Sequence, residues 1–256
     1  QAGDNPIQNL LPPKSVSPSE RDRAMRALGE MNREFREQYE LSSAITARFK
    51  AYELAARMQV SAPELVNFAQ ESEATRRLYG IGEPITDEFG KQLLMARRLV
   101  ERGVRFIQIC HAGGGNGRWD AHGDMESHAP LCRQTDKPIA GLIRDLKSRG
   151  MLDNTLVVWT SEFGRTPWSQ NTTGRDHNPK GYSSWLAGGG VRGGMVYGAT
   201  DEVGYRAVEE PQYISSLQAT ILQQMGLDYK RMEVEINGRA AKLIDDEGKP
   251  ISGILA

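Results

Sequence analysis

Three polar clusters hold the residues whose types and spacing could do chemistry. The first is Trp119-Asp120-Ala121-His122. In an extended segment the side chains of residues i and i+2 face the same way, so Asp120 and His122 can address one ion together. An oxygen and a nitrogen donor suit zinc, manganese or iron. An Asp-x-His with no ion is also common. The second cluster, Ser161-Glu162-Phe163-Gly164-Arg165, directly follows the apolar run Thr155–Thr160. A carboxylate at the end of a core strand is costly unless something cationic neutralises it. Glu162 therefore either pairs with Arg165 to hold the turn or meets a metal. The third cluster, Gly174-Arg175-Asp176-His177-Asn178-Pro179, reads as a polar loop before a further strand. Asp176 and His177 are sequence neighbours whose side chains diverge, so one is read as a ligand and the other as its support from behind. The alternative is a surface loop with a capping aspartate. Asp136 lies on the stripe Asp136, Ile139, Ile143, Leu146, the helix face expected to be buried. It either hydrogen-bonds a backbone amide near Pro138 or approaches the site. His111 and His128 are not read as ligands.

The elements that must position these clusters follow from periodicity and punctuation. Residues 1–16, with Pro6, Pro12 and Pro13, read as an extended arm. Ser17-Pro18-Ser19-Glu20 has the form of a capping box with proline at the first helical position. Ala24, Met25, Leu28 and Met31 recur behind it at helical spacing. A second helix is expected from Ser42 to Met58, a short one over Pro63–Gln70, and another over Asp87–Arg102, ended by Gly103. Val104–Cys110 then reads as a strand and His111–Arg118 as a glycine-rich loop. A helix is expected over Ser127–Arg149, with Pro130 in its first turn and Pro138 kinking or dividing it. Thr155–Thr160 reads as a strand buried on both faces. Ser183–Ala187 and Met195–Tyr197 are further strand candidates, and Ile214–Met225 a late helix closed by Gly226. This alternation predicts an α/β fold with a mostly parallel central sheet flanked by helices. The expected organisation is one domain over 17–256, mainly helical to 102, then a sheet with metal-site loops over 103–256. Ligands in such sheets bind beyond the carboxyl ends of the strands.

Composition closes off other classes. The 256 residues carry 32 basic and 33 acidic side chains, a formal charge of −1, which gives no footprint for nucleic acid or an anionic membrane surface. No apolar run is long enough to span a bilayer. Two cysteines make neither a disulfide scaffold nor a zinc knuckle. Gly188-Gly-Gly190-Val-Arg-Gly193 matches a dinucleotide fingerprint formally, but it precedes a strand candidate and so offers no helix N-terminus for a pyrophosphate. Asn171-Thr172-Thr173 fits a glycosylation sequon, which says only that the stretch is exposed.

The run from Asp136 to Gly150, followed by Met151 to Arg165, resembles the helix, strand and metal-loop segment of sulfatases. More closely, the chain resembles the DUF1501 family, sulfatase-like proteins abundant in planctomycetes and related bacteria. The matching stretches are Tyr52–Met58, Ala96–Phe106, Trp119–His122, Gly174–Pro179, Leu186–Gly190 and Tyr197–Glu202. The resemblance implies a branch of the alkaline phosphatase superfamily, whose members hydrolyse phosphate or sulfate esters at a metal centre beyond a central sheet. It implies Asp120, His122 and His177 as ligands of one metal site and Glu162 as the acidic ligand of a second. Relatives place Asp followed by His there, so Phe163 replaces a usual ligand. Near the late helix, family members often show Asp-Leu-His-Ala-Thr, where this chain has Ser216-Leu217-Gln218-Ala219-Thr220. Superfamily members keep the nucleophile on a first strand upstream of every motif found here. The chain is therefore expected to be a C-terminal portion without a nucleophile, in keeping with its opening Gln1-Ala-Gly-Asp-Asn-Pro6.

On this resemblance the implied activity is metal-dependent hydrolysis of a small-molecule or polysaccharide sulfate or phosphate ester. Arg165 or Arg175 would stabilise the developing anionic charge, and Asp176 and Asp136 would support the ligands. The implied cofactor is a divalent metal, zinc first, with manganese, iron and calcium as the others. An exported, periplasmic or extracytoplasmic location is implied as well. The alternative is a degenerate, non-catalytic family member acting as a binding or structural protein.

Overall fold

The computed structural model describes residues 16–38, 45–53, 65–111 and 119–256. The chain forms two compact units, Gln1–Ser72 and Glu73–Ala256. The expected arm lies outside the described residues apart from Val16, as do the ends of the expected second helix, Pro63, and the glycine loop after His111.

In the first unit, helix α1 spans Pro18–Gln38 and α2 is described over residues 45–53. The capping box forms as its residue types require. The Ser17 N–H donates to Glu20 Oε2 at 2.8 Å, and the Glu20 N–H donates to Ser17 Oγ at 3.3 Å. Two of the donors that every helix N-terminus leaves over are thereby satisfied. Phe35 of α1 meets Phe49 of α2 edge to face with centroids 6.5 Å apart.

The second unit is built on α3 (Glu73–Leu78), α4 (Asp87–Glu101), α5 (His128–Ser148) and α6 (Ile214–Gln224). Helix α4 buries Phe89, Leu93, Ala96 and Arg97 at helical spacing against α5, which answers with Leu131, Pro138, Leu142, Asp145 and Leu146. Gly90 and Gly141 let both helices close on the same turn: a Cβ on either would overlap the backbone of Leu78–Tyr79. Gly103 and Gly226 take positive φ just past α4 and α6, the stops read from the sequence. Pro138 does not divide α5, and its side chain is fully buried in the helix–helix core. Pro130 sits in the first turn, where no intrahelical N–H is missed.

A buried charge cluster ties this layer together. Asp145 accepts hydrogen bonds from Tyr79 Oη at 2.9 Å, Arg97 Nε at 3.0 Å and Arg149 Nε at 2.7 Å. Glu101 takes the second ends of both arginines, at 2.6 Å from Arg97 and 3.1 Å from Arg149. Burial, then the Asp145 charge, pushes the Tyr79 hydroxyl far above its ordinary pKa, so it only donates. Asp145 occupies the place on the buried face that sequence reading gave to Asp136, which is exposed. The buried stripe is rotated from the one read, because Asp145 brings its own donors into the core.

The expected parallel sheet is not what the chain forms. Among the described residues every sheet is a two-stranded antiparallel pair. Strand β1 (Val157–Trp159) pairs with β4 (Trp185–Ala187) in the register Val157↔Ala187, Trp159↔Trp185. Two-residue strands β2 (Gly164–Arg165) and β3 (His177–Asn178) pair as Gly164↔Asn178 and Arg165↔His177. Strand β5 (Ala199–Thr200) pairs with β6 (Ala207–Glu209), and β7 (Glu233–Ile236) with β8 (Arg239–Lys242). Val104–Cys110 and Met195–Tyr197 form no strand, and Phe106 is 63% exposed. An apolar run reports a tendency to be buried and says nothing of the direction of its partner. The helix-then-strand alternation counted two runs as parallel neighbours, yet one pairs with no strand and the other pairs antiparallel. Trp159 is half exposed, so β1 is not covered on both faces.

Asp145→Ala is expected to lower the stability of the second unit by about 3–5 kcal/mol, because it leaves Arg97 and Tyr79 buried with a partner removed. Asp136→Ala should stay within about 0.5 kcal/mol of the native chain. Urea denaturation followed by circular dichroism measures both, and a larger effect at Asp136 would contradict the assignment.

Candidate metal centre

Asp120 and His122 do lie on one side of their segment, but by a turn and not by a strand. The His122 N–H donates to the Asp120 carbonyl at 3.1 Å, an i to i+2 closure that folds the two side chains together. His122 Nε2 reaches Asp120 Oδ1 at 2.8 Å. The β2–β3 pair brings up the other side. Arg165 and His177 are cross-strand partners, and both point to the same oxygen: Arg165 Nη2 lies 2.8 Å and His177 Nε2 2.7 Å from Asp120 Oδ1. The two imidazole Nε2 atoms are 3.1 Å apart. Asp120, His122 and His177 are the group of His, Cys, Asp and Glu side chains among the described residues that converges closely enough to hold an ion.

Backbone packing fixes this meeting point. The Arg175 N–H donates to Ala121 O at 3.1 Å and the Thr173 N–H to Gly123 O at 3.3 Å, joining loop 170–175 to the Asp120–His122 turn. Gly174 sits so close to the His122 carbonyl that any Cβ would overlap it. Asn171, at φ 56°, donates its amide to the same carbonyl at 3.0 Å. Gln170 Oε1 lies 2.6 Å from His122 Nδ1. Phe163 stacks on the His177 ring with centroids 3.9 Å apart, and Trp119 is braced by His111 and by His128, whose Nε2 is 2.9 Å from the Trp119 carbonyl.

Proton bookkeeping decides what this set can hold. The amide oxygen of Gln170 only accepts, so it pairs with an Nδ1–H of His122; in the neutral ring this leaves the lone pair of Nε2 facing inward. That lone pair faces a carboxylate oxygen at 2.8 Å. His177 can place one proton between itself and Asp120, and the His122–Asp120 approach is bridged either by an Nε2–H of the protonated ring or by a cation shared with the carboxylate. Donors around a tetrahedral zinc with bonds of about 2.1 Å are about 3.4 Å apart, so these atoms, 2.7–3.1 Å apart, would have to open by about 0.3–0.7 Å.

The other residues singled out by sequence fall as follows. Glu162 is exposed and accepts from Ser161 Oγ at 3.1 Å; it stands outside the converging group, and the partner of Arg165 is Asp120. Arg165 also donates to the carbonyls of Trp119 at 3.0 Å and Arg175 at 3.2 Å. Arg175 Nη1 curls onto its own loop, at 3.0 Å from Gly174 O and 3.3 Å from Ser169 Oγ. Asp176 Oδ1 accepts the His177 N–H at 2.7 Å and lies 3.9 Å from His122 Nδ1, which places it behind the ligands. Asp136 is on the exposed face of α5, away from this group. Sequence reading missed Gln170 and Asn171; the only signal there was the sequon, which does mark an exposed stretch. A cleft of about 520 Å³ opens beside the centre, lined by Asp120, His122, Asp124, Ser127 and Gln134 over Leu131.

A carboxylate and two imidazoles meeting at one solvent-facing point define a candidate mononuclear metal centre held on loops. The chain belongs to the DUF1501 family, described as "Protein of unknown function (DUF1501)", whose profile matches residues 1–255. That match carries membership, and neither the kinship with sulfatases nor the reading as a C-terminal portion follows from it. No curated protein and no solved structure matches the chain.

Hydrogen bonds from His177 and Arg165 hold the Asp120 carboxyl down at about 2, against an ordinary 3.8. A depressed folded value means that the contacts are complete above the ordinary carboxylate range and are lost as pH falls through about 2. A carboxyl carbon NMR titration is expected to show Asp120 still ionised at pH 3; a midpoint at or above 3.8 would remove this electrostatic picture.

Proposed function

We propose that this chain is a metal-dependent hydrolase of sulfate or phosphate esters, with Asp120, His122 and His177 as the ligands of a single divalent ion. The observation that carries the reading is the convergence of one carboxylate oxygen and two imidazole nitrogens at an exposed point, with His122 Nε2 and His177 Nε2 each within 2.8 Å of Asp120 Oδ1. Two nitrogens and one oxygen favour zinc, with manganese and iron next; two imidazoles argue against calcium, which takes oxygen ligands. Three protein donors leave an ion with a position open, the arrangement of catalytic and not structural zinc. That position faces solvent, since the three side chains are 45%, 36% and 40% exposed. Bound there, the ion would polarise an ester oxygen and lower the pKa of an attacking water.

The chain's own residues supply orientation and charge. Arg165, whose bonds run to Asp120 and two carbonyls, positions the carboxylate. Arg175, held through Nη1, keeps Nε and Nη2 for an anionic ester oxygen. Gln170 sets the tautomer of His122. The proposal rests on this donor set and makes no appeal to an alkaline-phosphatase-type sheet. The sulfatase kinship and the exported location implied by resemblance belong to the same proposal. No helix among the described residues is long and apolar enough to cross a membrane.

A non-catalytic family member is the second reading. It is favoured by Glu162 standing apart and by Phe163 stacking on His177 where the resemblance implies a ligand, so no second metal site is built among the described residues.

Purified chain loaded with zinc is expected to hold one ion by mass spectrometry, and to lose it in His122→Ala and His177→Ala but not in Glu162→Ala. Retention in both histidine variants would sink the assignment. Gln170→Leu is expected to weaken zinc binding about 10–100-fold, with Gln170→Glu restoring it, in a chelator competition. Turnover of nitrophenyl sulfate or nitrophenyl phosphate separates the two readings: a loaded chain that turns over neither is the binding protein.

A further inference from the structure

Beyond the metal centre, the loops that hold it build a second group of surface side chains that the reading so far leaves unused. Trp168 precedes Gln170, whose amide fixes the His122 ring, by two residues, so its Cα lies within about 7 Å of that of Gln170. Its indole is 54% exposed and packs on Tyr205 with centroids 4.9 Å apart and the planes tilted by 42°. Two cations flank the pair. Lys180 Nζ stands 5.0 Å and Arg206 Cζ 6.0 Å from the Tyr205 ring centroid.

The group is built, and not a chance cluster of exposed side chains. Asn178, 1% exposed, donates its amide to the Tyr205 carbonyl at 2.7 Å and accepts the Lys180 N–H at 3.1 Å. The Ala207 N–H donates to Lys180 O at 3.0 Å, and Asp201 receives the N–H groups of Tyr205 at 2.7 Å and Arg206 at 3.3 Å. Asp201 thereby spends its carboxylate on backbone amides. Asn178 is the chain neighbour of His177, so the residue that seats the aromatic pair adjoins a donor of the metal centre.

The chemistry of the group selects its ligand. An indole more than half exposed offers π density to a flat array of polarised C–H bonds. An ammonium and a guanidinium alongside attract an anionic substituent carried on that array. A ring with a C–H face and an anionic ester is a sulfated or phosphorylated sugar. Single-stranded nucleic acid calls for successive stacking platforms along a positive track. Here there is one platform, in a chain of net charge −1.

We propose that Trp168, Tyr205, Lys180 and Arg206 form a subsite that binds an anionic sugar residue next to the ester attacked at the metal, so that the substrate is a polyanionic glycan. This deepens the ester-hydrolase reading and rests on it.

The test uses the full chain with a chondroitin sulfate tetrasaccharide, its desulfated counterpart and an oligothymidylate, each titrated by calorimetry at fixed salt. The native chain is expected to bind the sulfated tetrasaccharide. Trp168→Ala is expected to weaken binding about tenfold, Trp168→Phe to restore most of it, and Lys180→Gln with Arg206→Gln to lower both affinity and its salt dependence. No binding by the native chain, Trp168→Ala within about twofold of native, equal binding of the desulfated sugar, or preference for oligothymidylate would each overturn the subsite. Failure of the hydrolase reading looks different: no zinc retained and no ester turned over, with tetrasaccharide binding still dependent on Trp168.

Discussion

The Oδ1 atom of Asp120 gathers Arg165, His177 and His122 within 2.7–2.8 Å. None of these three groups has reason to approach the others without it. A guanidinium and two imidazoles are all donors or cations toward one another, and only a shared anion turns their mutual repulsion into a cluster. The same field keeps the carboxyl ionised far into acid. The residues around it come from two separate parts of the chain, the Asp120–His122 turn and the β2–β3 hairpin, so this atom also closes the loops on each other.

Such an arrangement places its demands on the backbone. Two-residue ladders are too short to hold a site by themselves, and here they are reinforced by bonds that no regular element supplies. The segment 170–175 donates to the carbonyls of Ala121, His122 and Gly123 in turn, with the Asn171 amide standing in for a backbone N–H. Gly174 is the position where this contact admits no side chain at all. The ligand turn is therefore positioned by carbonyls and amides, which leaves its side chains free to face outward toward the cleft.

How much of this could be read from residues alone depends on the range of the interaction concerned. Local features came through. The Ser17–Glu20 capping box, the glycine stops after α4 and α6, and the limits of α5 each depend on contacts a few residues long. The pairing of Asp120 with His122 was legible from their spacing, whereas His177 joined them only through the family resemblance, and Glu162, read as converging with them, stands outside the group. Strand pairing was not, because Val157–Trp159 is equally apolar beside a parallel or an antiparallel partner. The hairpin β7–β8 was overlooked although Asn237-Gly238, both at positive φ, is the pair a tight two-residue turn requires. Glu162 drew attention by following an apolar strand, yet that strand is half exposed at its end, and an exposed carboxylate needs no cation. Asp145 and Gln170 were invisible for a common reason: each matters through partners tens of residues away.

Asp145 and Asp120 make an instructive pair, since both are carboxylates ringed by nitrogen and oxygen donors. Around Asp145 every neighbour brings a proton: the Tyr79 hydroxyl, Arg97 Nε and Arg149 Nε all donate, and the cluster is closed, buried and structural. Around Asp120, Arg165 and both imidazoles approach one oxygen, with His122 held from behind by Gln170. A closed cluster in the core has nothing left to bind. An open one at the surface keeps its nitrogen and oxygen atoms accessible to solvent and to the cleft beside it. The two carboxylates thus differ in exposure and in the donors that meet them: a hydroxyl and two guanidinium groups in the core, two imidazoles and one guanidinium at the surface.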